Sequence, residues 1–174
     1  MSEHEPSIGA TSEWFTPGYV FDALKLTFDL DPAHPGRANP HCAVPAHRIF
    51  TEADDGLRQH WWGLTWLNPP FGGRRGQVPW LRKFFDHGNG IALVAARTSA
   101  DWFHDVVAPK AETLVFPRGK TKFIQPDGSI GKEPGTGIVL IGMGPVANAA
   151  LRRSGLGLFV QLREPPVIAV EEVA

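Results

Sequence analysis

The sequence predicts an α/β fold built on a mainly parallel sheet, and three features carry the prediction. Apolar runs of strand length (LTFDL, GLTWL, IALVAA, ETLVF and GIVLIG) are interleaved with stretches of helical spacing. IALVAA, residues 91–96, is apolar throughout, the pattern of a strand covered on both faces. After GLTWL the chain enters NPPFGG, residues 68–73, a rigid turn at the carboxyl end of a buried strand, where ligands collect in open α/β sheets.

The elements follow in order. In WFTPGYVFDALKLTF, Thr16-Pro17 supplies a helix start, and Val20, Phe21, Leu24 and Phe28 recur at helical spacing. LTFDLDP reads as a strand ending in Asp29 and Asp31 and stopped by Pro32. Residues 33–47, rich in Pro, His, Gly and Asn, read as a loop, followed by a brief RIFT strand. GLTWL is a buried strand, and VPWLRKFFDHG a helix with Pro79 near its start and Gly88 at its end. Beyond IALVAA, RTSADWFHDVV turns helical through Trp102, Phe103 and Val106, with Ser99 as its cap. ETLVFP is a strand, KTKFIQPDGSIGKEPGTG a glycine-rich excursion and GIVLIG a strand, while the tail PPVIAVEEVA is either loose or an edge segment.

A length of 174 residues suits one domain, with residues 1–12 and 165–174 peripheral. The N-terminus is polar, without the basic start and apolar stretch of a secretory signal, and no apolar run reaches the length of a membrane span. The expectation is a soluble, cytoplasmic protein without a membrane partner. The single cysteine, Cys42, forms no internal disulfide, so nothing demands an oxidising compartment. Charge is balanced overall but uneven along the chain: residues 1–73 hold four Lys/Arg against nine Asp/Glu, and residues 74–122 hold nine against four. The basic segment either faces a polyanion or is solvated surface. His34, His41, Cys42 and His47 are close in sequence, but their spacing fits none of the common zinc patterns, and no metal is expected.

The chemistry of the turn can be read from its residue types. Two consecutive prolines fix their own φ angles and bias Asn68 towards an extended conformation. Neither proline has an N–H, so their carbonyls stand as acceptors with no local donor, and the Asn68 side-chain oxygen adds another. Fixed acceptors side by side suit an exocyclic amino group, which carries two N–H donors. Accepting both protons would favour a pyramidal nitrogen and stabilise the positive charge that develops there on alkylation. Phe71 would stack on the planar ring that bears such an amino group, and Gly72 and Gly73 allow close approach of backbone to ligand.

NPPF is similar to the (D/N/S)-P-P-(Y/F) motif of amino-methyltransferases that use S-adenosylmethionine. With WFTP, FDLDPA, the N-x-x-C of Asn39 and Cys42, TEADDGL, WLNPPFG, LVAARTSADWFH and PRGKTKF in that order, residues 13–142 resemble the small phage-type DNA N(6)-adenine methyltransferases (Dam-like). The resemblance implies a Rossmann-like methyltransferase fold in three α/β/α layers, with an antiparallel C-terminal strand. It also implies S-adenosylmethionine as cofactor, double-stranded DNA as partner, base flipping, and no obligate protein partner. Asn68, Pro69, Pro70 and Phe71 would then be the catalytic residues.

Trp14, Thr16 and Pro17 would form a cofactor segment, the alternative for Thr16 being a simple helix cap. Asp29 or Asp31, with Asp31 preferred, would accept from the cofactor's ammonium or ribose groups. Asp54 or Asp55, with Asp55 preferred, would hold the adenosine part, the alternative being a solvated turn. Arg74, Arg75, Arg97, Thr98, Arg118, Lys120 and Lys122 would contact DNA, whereas Trp102 fits the buried face of its helix. The chain departs from the broader methyltransferase pattern in AHPGRANP, which lacks the G-x-G turn expected after the first strand. Two further readings stay open: methylation of RNA or a protein amide by the same turn, and a nucleic-acid or cofactor-binding module without catalysis.

Overall fold

The computed structural model describes residues 14–70, 76–131 and 136–163. It is a mixed α/β structure around one seven-stranded sheet. The elements are α1 (Gly18–Leu24), β1 (Phe28–Asp31), β2 (Ala46–Ile49), a short 3-10 turn (Glu52–Asp54), β3 (Thr65–Leu67), α2 (Val78–His87), β4 (Gly90–Ala95), a π-helical turn (Phe103–Val107), β5 (Thr113–Pro117), β6 (Ile138–Met143), α3 (Pro145–Arg153) and β7 (Gly157–Gln161). Strand order is β2-β1-β3-β4-β6-β5-β7. The β2-β1-β3-β4 half is parallel, and the β4-β6-β5-β7 half pairs antiparallel throughout. Two strands, β6 and β7, therefore run against the rest, where a single C-terminal one is expected from sequence. The arrangement is compatible with a Rossmann-like fold.

The direction of the strands decides what meets what. Because β4 and β5 both pair antiparallel with β6, they run parallel to each other and to β1 and β3. Asp31, Asn68, Arg97 and the Arg118–Lys122 stretch thus leave the sheet at the same end. Side chains along β4 alternate between two apolar clusters: Ile91 and Leu93 join α1 and α3 residues, and Ala92 and Val94 join Leu81, Phe84 and Phe85 of α2. Fully burying each such large side chain contributes about 1.5–3 kcal/mol.

Local chemistry sets the boundaries. In α2, Pro79 sits in the first turn, Leu81, Phe84 and Phe85 make one buried stripe, and Gly88 caps the end through its N–H to the Phe84 carbonyl. The segment after β4 becomes helical at Asp101, two residues beyond Ser99, which makes no cap, and the Ala108 N–H reaches back five residues to Phe103. Trp102 is buried in the core, as its spacing predicts. The edge strand β2 is AHRI rather than RIFT. α3 and β7 are not predicted. α3 starts at Pro145, where the buried Glu112 carboxylate accepts from Gly144 N–H (2.7 Å) and Asn148 Nδ2 (2.5 Å), and Asn148 Oδ1 accepts from Thr113 Oγ1 (2.7 Å). Among the described residues, no helix is long and apolar enough to cross a membrane.

Candidate active site at the NPP turn

A cleft of about 910 Å³ opens at the carboxyl ends of β1 and β3. It is within the size range of small-molecule sites. Trp14, Thr16, Asp31, Asp55, Asn68, Pro69 and Pro70, all predicted site residues, line it together. Phe71, Arg74 and Arg75 lie outside the described residues.

The Asn68 amide has a defined orientation. Its Nδ2 donates to the Trp14 carbonyl (3.1 Å), and its Oδ1, buried, has no protein partner. A buried carbonyl oxygen without a donor costs about 1–3 kcal/mol of lost solvation unless a ligand supplies one. Thr16 Oγ1 and Trp66 Nε1, on two more cleft-lining residues, are likewise buried and unpartnered. Of the four such atoms among the described residues, three belong to this cleft. Such atoms call for a partner, a water or a ligand, that the described residues do not supply.

The two acidic pairs separate by geometry. The amides of Asp29 and Leu30 both donate to the Leu64 carbonyl, which breaks the two-residue alternation of β1: Phe28 and Leu30 fall in different apolar clusters. The Asp29 carboxylate is engaged by the Leu64 N–H (2.7 Å), and a side chain at Gly63 would strike it. Asp29 braces the entry to β3 and is not among the cleft-lining residues. Asp29→Ala is therefore expected to cost about 1–3 kcal/mol of stability by stranding that N–H, with no change in ligand affinity, measurable by denaturant melts and calorimetric titration.

Asp31, 2% exposed, is in the cleft wall. Burial pushes its carboxyl up to about 7, partly offset by the Ala33 N–H that donates to Oδ1 (3.0 Å). In the second pair, Asp54 Oδ2 accepts from Thr51 N–H (2.8 Å) and Thr51 Oγ1 (2.7 Å), bonds that hold its carboxyl below the usual range and commit it to closing the 3-10 turn. Asp55, the next residue, adopts a left-handed conformation and joins the cleft. Pro17 is the N-cap of α1, outside the cleft.

The loop without a G-x-G turn is built differently. His34 is buried, and its Nδ1 accepts from Gly36 N–H (2.9 Å), which leaves the proton on Nε2, 3.4 Å from Cys42 Sγ. Burial, then the Arg37 charge, holds the imidazole below its usual pKa. Burial pushes the Cys42 thiol up to about 11, and the Asp31 charge adds to this. Both residues form part of the cleft wall. No group of three or more His, Cys, Asp or Glu gathers as a metal site among the described residues.

Among the lining residues that sequence reasoning does not find are Trp66, Trp80 and His34. Trp66 reads as core because β3 is buried at every position, and Trp80, on α2, reaches the cleft beside Gly56 only through the tertiary fold. On the basic side, Arg97 and Thr98 are exposed just past β4, the strand next to β3. Arg118, Lys120 and Lys122 are exposed as well, but the stretch is not extended throughout: the chain bends at Arg118 and Gly119, with Gly119 at φ 77°, and burial alternates only over residues 120–123, where Thr121 and Phe123 are buried. His104 is exposed on the π-helical turn.

No curated protein and no solved structure shows significant similarity to the chain. A family model described as DNA N-6-adenine-methyltransferase (Dam) matches residues 8–141, a span that takes in the N-terminal segment, β1, the NPP turn, β4 and the basic stretch after β5. The chain belongs to the Dam family of DNA N-6-adenine-methyltransferases.

Proposed function

We propose that the protein transfers a methyl group from S-adenosylmethionine to the exocyclic N6 of adenine in double-stranded DNA, using the NPP turn as its amino-group cradle. The observation that carries this is the Asn68 oxygen: a buried, unpartnered acceptor, oriented by the Trp14 carbonyl, in the wall of the cleft. Family membership supports adenine in DNA as the target.

The residues present fit the cofactor, since the cleft offers an unpaired hydroxyl at Thr16, an unpaired indole N–H at Trp66 and two carboxyls at Asp31 and Asp55. Bound S-adenosylmethionine supplies an electrophilic methyl group. Asp31, ionised, would accept from its ammonium or ribose groups, with Thr16 alongside and Asp55 towards the adenosine. Asn68 Oδ1 and a prolyl carbonyl of Pro69 or Pro70 would accept both protons of the adenine amino group, concentrating the lone pair on nitrogen and stabilising the charge that develops there. No strong base is then required. Phe71 is assigned to base stacking, and Arg74 and Arg75 to DNA contact, on sequence alone. The base must leave the duplex to reach this turn, and unstacking costs a few kcal/mol, offset in part by phosphate contacts. Helices on both sheet faces support the three-layer Rossmann-like assignment.

Incubation with methyl-labelled cofactor and separate DNA, RNA and protein substrates tests the proposal. Label on DNA adenine is expected. Transfer to RNA or protein, or cofactor binding without turnover, would replace it with one of the alternative readings. Arg97 and Thr98 follow the carboxyl end of β4, the strand next to β3, and Arg97→Ala is expected to weaken DNA binding and to reduce the slope of log affinity against log salt by about 1. Fluorescence titration over a salt series measures it, and an unaltered slope would remove Arg97 from the phosphate contacts.

A further inference from the structure

The carbonyl that holds the Asn68 amide belongs to Trp14, and a hairpin far along the chain fixes Trp14. Phe15 and Ile124 exchange both backbone hydrogen bonds, 2.9 Å each way. Ile124 also pairs with Ile130, and Gly131 N–H donates to the Phe123 carbonyl (2.8 Å). The tip is closed by Gln125 N–H to Ser129 O and Gly128 N–H to Gln125 O, both 2.9 Å. Asn39 Nδ2 ties the hairpin to the loop after β1 through the Pro126 carbonyl (3.2 Å). Phe123 is buried in the α1/α3 cluster. Gly131 lies against the six-membered ring of Trp14, so closely that a Cβ there would overlap it.

The two ends of an asparagine amide are nearly equal in size, and its terminal torsion is soft. Among the described residues, the Trp14 carbonyl is the hydrogen-bond partner that selects oxygen over NH2 as the group facing a substrate. An NH2 turned towards an amino substrate sets donor against donor. The polarity of the site therefore depends on where residue 14 sits.

We propose that the Phe123–Gly131 hairpin positions the catalytic amide, with Gly131 as a positioning residue: by seating Trp14, it keeps the Asn68 oxygen on the cleft side. This rests on the role given to Asn68 above. It also gives the glycine-rich excursion a task, because the exposed Lys120 and Lys122 run directly into the hairpin, joining the DNA-facing stretch to the segment that orients the amide.

Gly131→Ala places a Cβ in the Trp14 ring. The expected result is a loss of kcat of roughly tenfold to a hundredfold at saturating cofactor and DNA, larger than any change in cofactor Kd. Whatever Trp14→Leu costs by itself, adding Gly131→Ala to it should cost nothing more, because the ring that the Cβ meets is gone. Normal kcat in Gly131→Ala, or additive losses in the double variant, would overturn the proposal. Should Gly131→Ala not fold, proton exchange at the Asn68 side chain in the 15N-labelled wild-type protein decides: slow exchange of the NH2 protons is expected, and exchange as fast as an exposed asparagine would overturn it. The two layers separate cleanly. If Asn68→Ala is inactive while Gly131→Ala is normal, only the hairpin's role fails; if Asn68→Ala is active, the role of Asn68 fails.

Discussion

Asn68→Ala is expected to lower turnover on the order of a hundredfold at saturating substrates while cofactor affinity changes by less than about twofold. The two readouts part because of what Asn68 touches. Its Nδ2 is bound to Trp14 O and its Oδ1 waits unpaired, so the side chain supports no described element by its oxygen. An acceptor used only as charge builds on the substrate nitrogen contributes to the transition state more than to binding, which places the loss in kcat. Asn68→Asp is the informative companion: it keeps an acceptor, loses the Nδ2 bond to Trp14, and sets a carboxylate against that carbonyl. It should fall between wild type and alanine. Steady-state kinetics with independent cofactor titration measure both, and an unchanged kcat in Asn68→Ala would remove the amide from the chemistry.

Asp31→Asn has opposite effects on the free protein and on its ligand complex. The folded carboxyl titrates at about 7 against an ordinary value of 3.8, so the folded chain holds this proton more tightly than the unfolded one. The resulting stability is complete below the unfolded value and is lost as pH rises through the folded value, amounting to on the order of 4 kcal/mol by pH 8. Asparagine carries no charge and its oxygen can keep the Ala33 N–H, so the variant should melt roughly 5–10 °C higher relative to wild type at pH 8 than at pH 5.

Ligand binding should go the other way. If the ionised carboxyl receives the cofactor's cationic or hydroxyl donors, the variant loses about tenfold to a hundredfold in affinity. Wild-type affinity should then rise from pH 6 to pH 8, with proton release on binding below pH 7. Titration calorimetry in buffers of differing ionisation enthalpy reads that release. A flat pH profile, together with unchanged affinity in the variant, would take Asp31 out of the cofactor site.

These residues differ in how far the sequence alone exposes them. The strand leading into Asn68 and the helix at Val78–His87 are legible because apolar period, proline and glycine all give the same answer there. Asp31 can be preferred over Asp29 from its position next to Pro32, but the cause lies in the shared Leu64 carbonyl that breaks the alternation of β1. Asp54, not Asp55, is tied to the Thr51 cap, a contact that the string of acidic residues does not display. α3 and β7 escape because ANAALRR buries mainly alanines and GLFVQ is half exposed, so neither shows a clear apolar period. The Trp14 bond to Asn68 is invisible in the sequence, since a backbone carbonyl has no residue type.

The central claim, an amide oxygen and a prolyl carbonyl cradling the amino group of adenine in DNA, is tested most directly by expressing the chain in a methylation-deficient host and mapping N6-methyladenine on the plasmid. The wild-type protein is expected to mark adenines in a defined sequence context, and Asn68→Ala to leave the same sites largely unmarked. Absence of methyladenine with folded wild-type protein, or equal marking by Asn68→Ala, would contradict the account.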